Sequence, residues 1–190
     1  MSAVGKLRDR FGGDVTGKSL KALAASGQLG YGLPEAALQE GLAREPDFIG
    51  CDMGSVDPGP YYLGAGEMAT APAMTEHDLR EVLQGARRLD VPLLIGTAGT
   101  AGARPHLDKT LAMVRKIAKE DGLKFRLASI AADIPKDMVK QAAKDGRMVK
   151  LGEMDVPDDA AVDATAHLVG QMDTEAFQRA LDEEADVIIA

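Results

Sequence analysis

Short apolar runs alternate with amphipathic stretches along this chain, and no other feature narrows its fold as much. The runs lie at residues 20–25, 47–51, 91–95, 124–130, 148–151 and 186–190. Each is too short for a stable helix and suits a buried strand. Between them, residues 34–44, 75–89, 106–120, 136–144 and 174–184 repeat apolar positions at helical spacing, with a weaker helical region from 157. The alternation predicts an α/β fold: an open, mostly parallel sheet of about six strands with helices on both faces, a Rossmann-like three-layer arrangement. Residues 1–19 read as a polar lead-in and residues 20–190 as a single domain.

Local signals place the helix ends. Pro34 suits the first turn of its helix. Thr75 reads as an N-cap, with Asp78 at the third helical position as in a capping box. Gly122 and Gly146 stop the helices before them. The stretch 52–74 reads as one long loop, and loops of that length inside a domain usually carry function.

Composition removes several function classes. The chain has 190 residues, a net charge of −8, one cysteine, three histidines and no tryptophan. Scattered basic residues in an acidic chain do not make a phosphate-backbone footprint, so no nucleic-acid partner is expected. No apolar stretch is long enough for a membrane span and the first residues lack a signal-peptide core, so a cytoplasmic location is expected. A single cysteine excludes an internal disulfide, and one cysteine with three histidines argues against a Cys/His structural zinc site. A divalent cation such as magnesium, held by carboxylates, stays open.

The polar chemistry gathers where apolar runs end. Residues 51–60, CDMGSVDPGP, place Asp52, Ser55 and Asp57 in a stiff segment directly after a strand. Residues 26–32, SGQLGYG, place Ser26, Gly27, Gly30 and Tyr31 between strand and helix, where backbone N–H groups can approach an anion. Residues 96–102, GTAGTAG, repeat that logic with Thr97, Gly99 and Thr100, followed by Arg104, His106 and Asp108. Arginine binds carboxylates or phosphates through two parallel hydrogen bonds, and histidine titrates near neutrality. Asp133 follows the fourth run in the same way. In open α/β sheets ligands bind outside the carboxyl ends of the strands. The expected site therefore has His106, Asp52 and Asp57 as acid/base groups and Ser26, Gly27, Gly30, Tyr31, Ser55, Thr97, Gly99, Thr100 and Arg104 as substrate contacts. Asp52 and Asp133 are the candidate metal ligands. Each has a plainer structural role available: glycines for positive φ, aspartates for caps and turns.

Residues 12–19, GGDVTGKS, match the phosphate-loop pattern, which needs a buried strand before it and a helix after it. Here a charged segment precedes it and an apolar run follows. His167 and Gln171 share a helix face if that segment is helical, His77 reads as surface, and Cys51 reads as packing.

Residues 24–34 (AASGQLGYGLP), 47–62 (DFIGCDMGSVDPGPYY) and 96–106 (GTAGTAGARPH), with 164–172 (ATAHLVGQM) and 185–190 (ADVIIA), resemble the N-terminal region of acyclic terpene utilisation (AtuA-type) proteins, in a divergent branch. The resemblance runs from about Lys18 onward. It implies a longer parent protein whose final strand continues into further sequence. It also implies an association with breakdown of branched acids and acyl-CoA intermediates, but it brings no catalytic assignment.

The expected function is an enzyme or enzyme subunit acting on a small carboxylic acid or acyl thioester by hydratase, dehydratase or isomerase chemistry, working as a homo-oligomer or with a partner subunit. The alternative is a non-catalytic binding domain completed by a further domain or partner. Nucleotide binding is a third, weaker reading.

Overall fold

A computed structural model describes residues 2–55 and 58–190. The first helix, α1, spans Ala3–Phe11, and a short strand β1 follows at Ala22–Ala24. Next come α2 (Glu35–Ala43), β2 (Phe48–Gly54), the single-turn α3 (Tyr61–Ala65), α4 (Pro72–Leu89) and β3 (Leu93–Thr100). The second half contains α5 (Arg104–Glu120), β4 (Leu127–Ser129), α6 (Lys136–Lys144), α7 (Asp159–Ala164), α8 (Thr174–Asp182) and β5 (Val187–Ile189). The five strands form one parallel sheet in the order β1-β2-β3-β5-β4.

Strand order explains which face each helix covers. Parallel connections share one hand, so steps in the same direction put their helices on the same face. From β1 through β2 and β3 to β4 the chain moves one way; only the return from β4 to β5 moves back. Accordingly Leu38 and Leu42 of α2, Leu79, Val82 and Leu83 of α4, and Leu107, Val114 and Ile117 of α5 share one core with Ile49, Leu93, Ile95, Val187 and Ile189. On the other face, α8 packs Phe177, Ala180 and Leu181 against Leu94, Ala128 and Ile188. Alternate residues of β5 thus enter opposite cores, the period of two that strands impose. The second face stays open over β1 and β2, where Ala22, Ala24 and Asp52 are exposed and Phe48 and Gly50 half-buried.

Several boundaries differ from the sequence reading. Residues 148–151 form no strand; Val149 and Leu151 are each 88% exposed, because the chain around them lies outside both cores. The polar lead-in contains a helix. Its start buries Ala3 and Val4 and lies across the N-terminal ends of the strands. There Asp186 accepts a bond from the Ala3 N–H (3.0 Å), Lys6 pairs with Asp90, and Arg10 pairs with Asp47. The phosphate-loop pattern at 12–19 therefore follows a helix and leads into β1, with the Lys18 Nζ donating to the Arg10 carbonyl. The strand–loop–helix context that pattern requires is not there. α4 begins at Pro72, three residues before the expected cap, and the Thr75 hydroxyl donates back to the Ala71 carbonyl inside the helix. Among the described residues, no helix is long and apolar enough to cross a membrane.

Candidate functional site at the carboxyl ends of the strands

All five strands run parallel, so the segments after β1, β2, β3 and β4 emerge on one side of the sheet. Hydrogen bonds stitch these segments together. The Leu29 N–H donates to the Asp52 carbonyl (2.8 Å), joining the loop after β1 to the end of β2. The Ala69 N–H donates to the Thr100 hydroxyl (2.9 Å), and the Arg104 N–H donates to Asp133 (3.1 Å). Ile134 and Gly170 tie the loop after β4 to residues 168–170 through bonds with the carbonyls of Leu168 and Ala132. Ser26, Asp52, Arg104 and Asp133 thus belong to one rim.

The end of β3 is irregular. Asp52 pairs with Gly96 and Gly54 with Thr100, so two steps on β2 match four on β3. The extra residues are absorbed by positive φ at Thr97 (54°), Gly99 (63°) and Thr100 (91°). The expected glycine-rich loop is therefore a bulged strand. A β-branched residue in this region is an outlier, and bulges concentrate beside functional sites. Gly54 is required here, since a Cβ on it would collide with Thr97 and the Thr100 carbonyl.

The rim treats its candidates unequally. Asp52 is exposed, and one of its oxygens accepts the Gly54 N–H at 3.0 Å. Thr97 and Gly27 are exposed beside it, Tyr31 is 61% exposed, and Ser55 is half-buried. The Ser26 hydroxyl oxygen and the Gln28 amide nitrogen are buried without a hydrogen-bond partner. Gln28 was not among the expected residues; its signal was only its place inside the glycine segment. Asp57 lies outside the described residues.

Other candidates have partners within the protein. His106 is fully buried, and its Nε2 donates to the carbonyls of Tyr62 (2.9 Å) and Glu67 (3.1 Å). That geometry places a proton on Nε2 and makes the ring a clamp on the segment around α3, with Nδ1 buried and unpartnered. Thr100 and Gly99 are also buried; Gly99 lies against the backbone of His106. Arg104 pairs with Asp108 at 2.9 Å, one turn on. The N-terminus of α5, where an anion was expected, is capped by Asp133.

The glycine segment after β1 holds a carboxylate of the protein's own. Asp78 of α4, fully buried, accepts the N–H groups of Gly30 (2.8 Å), Gly32 (3.0 Å) and Leu33 (3.1 Å). The sequence contained the signal: Asp78 stands in the apolar stripe of α4, between Thr75, Leu79 and Val82. Burial pushes the Cys51 thiol up to about 12, only partly offset by a backbone hydrogen bond from Ala25, so this residue is packing. His77 is part-exposed near Glu35 and Asp78. His167 lies near Gly66, and residues 165–173 form no helix, so His167 and Gln171 share no helix face.

Among the described residues, no three His, Cys, Asp or Glu side chains come together as a metal-binding group. Asp133 acts as a helix cap and Asp52 closes a turn, so neither is displayed as part of a carboxylate cluster. Two shallow depressions lie apart from Asp52 and Thr97. One, of about 350 Å³, is lined by Arg115, Leu123, Lys124 and Phe125, and the other by Ala73, Glu76, His77 and Arg80. No family model, no curated protein and no solved structure matches this chain.

Proposed function

We propose that this chain is the ligand-binding α/β unit of an enzyme that acts on a small carboxylic acid or acyl thioester, with Asp52 as its proton-transfer group. The observation that carries this reading is the exposure of Asp52 at the end of β2, directly beside the strained Thr97 bulge and the loop of Ser26 and Gln28. An exposed carboxylate can remove or return a proton, and hydroxyl and amide donors can hold a carbonyl oxygen. Hydratase, dehydratase and isomerase reactions need this combination. The resemblance to acyclic terpene utilisation proteins supports the same substrate class. His106, buried and bonded to two carbonyls, contributes to the fold of the rim and not to the chemistry.

A second reading is favoured by a specific observation. His106 and Asp78 are both buried and bonded within the protein, which leaves few reactive groups. In that reading the chain binds the ligand and a partner subunit brings the reactive groups.

Deuterium exchange separates the two. The protein is incubated in deuterated water with a panel of carboxylic acids and CoA thioesters, and binding is followed by amide chemical shifts. Exchange in the wild type that falls at least 100-fold in Asp52→Asn supports the enzyme. Binding without exchange supports the partner-dependent reading. Failure of every compound to shift the residues around Ser26, Asp52 and Thr97 refutes both.

A further inference from the structure

A loop whose successive N–H groups point inward is a concave anion-binding nest. The segment from Gly30 to Leu33 has that form. Gly30 and Gly32 adopt positive φ (103° and 96°), and three N–H groups converge on one fully buried carboxylate. Both oxygens of Asp78 are used: one takes Gly30 and Gly32, the other Leu33. The loop also cannot relax into an ordinary shape. A Cβ on Gly30 would lie 2.7 Å from Thr70, whose hydroxyl bonds Thr75 on the same helix as Asp78. The nest and its anion thus come from sequence segments 45 to 48 residues apart, locked together through α4.

We infer that the segment 30–33 is an oxyanion nest whose resident ligand is the Asp78 carboxylate, and that a small monocarboxylate occupies the nest when this side chain is removed. Asp78 is then a positioning residue: it sets the shape of the loop that presents Ser26, Gln28 and Tyr31. The backbone N–H groups of Gly30, Gly32 and Leu33 are closed to any external ligand of the intact protein. The inference does not depend on the proposed activity and is tested without substrate.

The test uses isotope-labelled full chain. In the wild type, couplings across the hydrogen bonds should connect the Gly30, Gly32 and Leu33 amides to the Asp78 carboxyl carbon, and formate should leave these amides unmoved. In Asp78→Ala the three amide signals should shift, and formate, but not chloride, should return them toward their wild-type positions and raise the melting temperature. Asp78→Asn keeps the side-chain volume and offers one accepting oxygen, so it should preserve either the glycine pair or Leu33 and lose the other; it serves if the alanine variant does not fold. Absence of the couplings in the wild type overturns the inference. So does a folded alanine variant indifferent to formate, or an asparagine variant with all three amides unchanged.

Discussion

Thr97 carries a β-branched side chain at φ +54° on an exposed strand end, a conformation that costs an L-residue roughly 1–2 kcal/mol. Asparagine tolerates that region, so Thr97→Asn should raise stability by about 1 kcal/mol in urea unfolding while weakening any ligand bound at the rim. An unchanged or lowered midpoint would remove strain from the account of the bulge. Gly54 gives the opposite case. Gly54→Ala drives a methyl into Thr97 and the Thr100 backbone and should cost about 1–3 kcal/mol in the same measurement. Cys51 is buried, with its thiol pushed up to about 12, so it should react with a disulfide reagent only after unfolding. At this scale the strand ends were legible in the sequence, but not the partners of the residues there. His106 and Arg104 look reactive in one dimension; that their partners are the carbonyls of residues 62 and 67 and the carboxylate of Asp108 depends on folding. Asp78 was legible in principle, as an acid in the apolar stripe of α4, and the capping-box reading of Thr75 concealed it.

Helices α4 and α5 lie side by side and are joined by charge. Arg80 pairs with Glu76, Glu120 and Asp121, and Lys116 pairs with Glu76 at 2.8 Å. Chiefly through the Lys116 hydrogen bond, Glu76 is held below its ordinary value of 4.5. At the other end of the sheet, the Lys6 hydrogen bond holds Asp90 below 3.8 and ties α1 to the end of α4, just ahead of β3. A carboxylate with a lowered folded-state pKa stabilises the fold above its unfolded value and loses that contribution as pH falls through the folded one. Stability should therefore change little from these groups between pH 7 and about 4.5, then decline steadily below. Glu76→Gln should lower the melting temperature at pH 7 and make the decline below pH 4.5 shallower; an equally steep decline would show that the network is not responsible. The helices themselves were legible because their apolar spacing is regular, and α6 matches its expected range. The lead-in helix α1 was not, since it buries only Ala3 and Val4 and gains its place from three aspartates that precede strands far along the chain.

For the whole molecule, sequence alternation was enough to predict a parallel sheet with helices on both faces, because strand and helix periods differ and parallel strands need crossovers. Strand order was not, since it depends on β5 inserting between β3 and β4, which no local pattern records. The order divides the molecule unevenly. β2, β3 and β5 lie between strands and beneath three helices, whereas α6 has no fully buried residue. Native-state hydrogen exchange should be slowest in Ile49, Ile95 and Ile188 and faster by orders of magnitude in α6 and α7. Uniform protection would contradict cores confined to the sheet and the helices packed on it. The parallel order also brings every strand end to one rim, and the functional reading rests on that rim. Its most direct test is chemical-shift mapping of the full chain with the panel of carboxylic acids and CoA thioesters. Saturable shifts should be confined to residues 26–31, 52–55 and 96–100. Shifts centred instead on Arg115, Lys124 and Phe125, or on the α4 surface around His77, would contradict that reading.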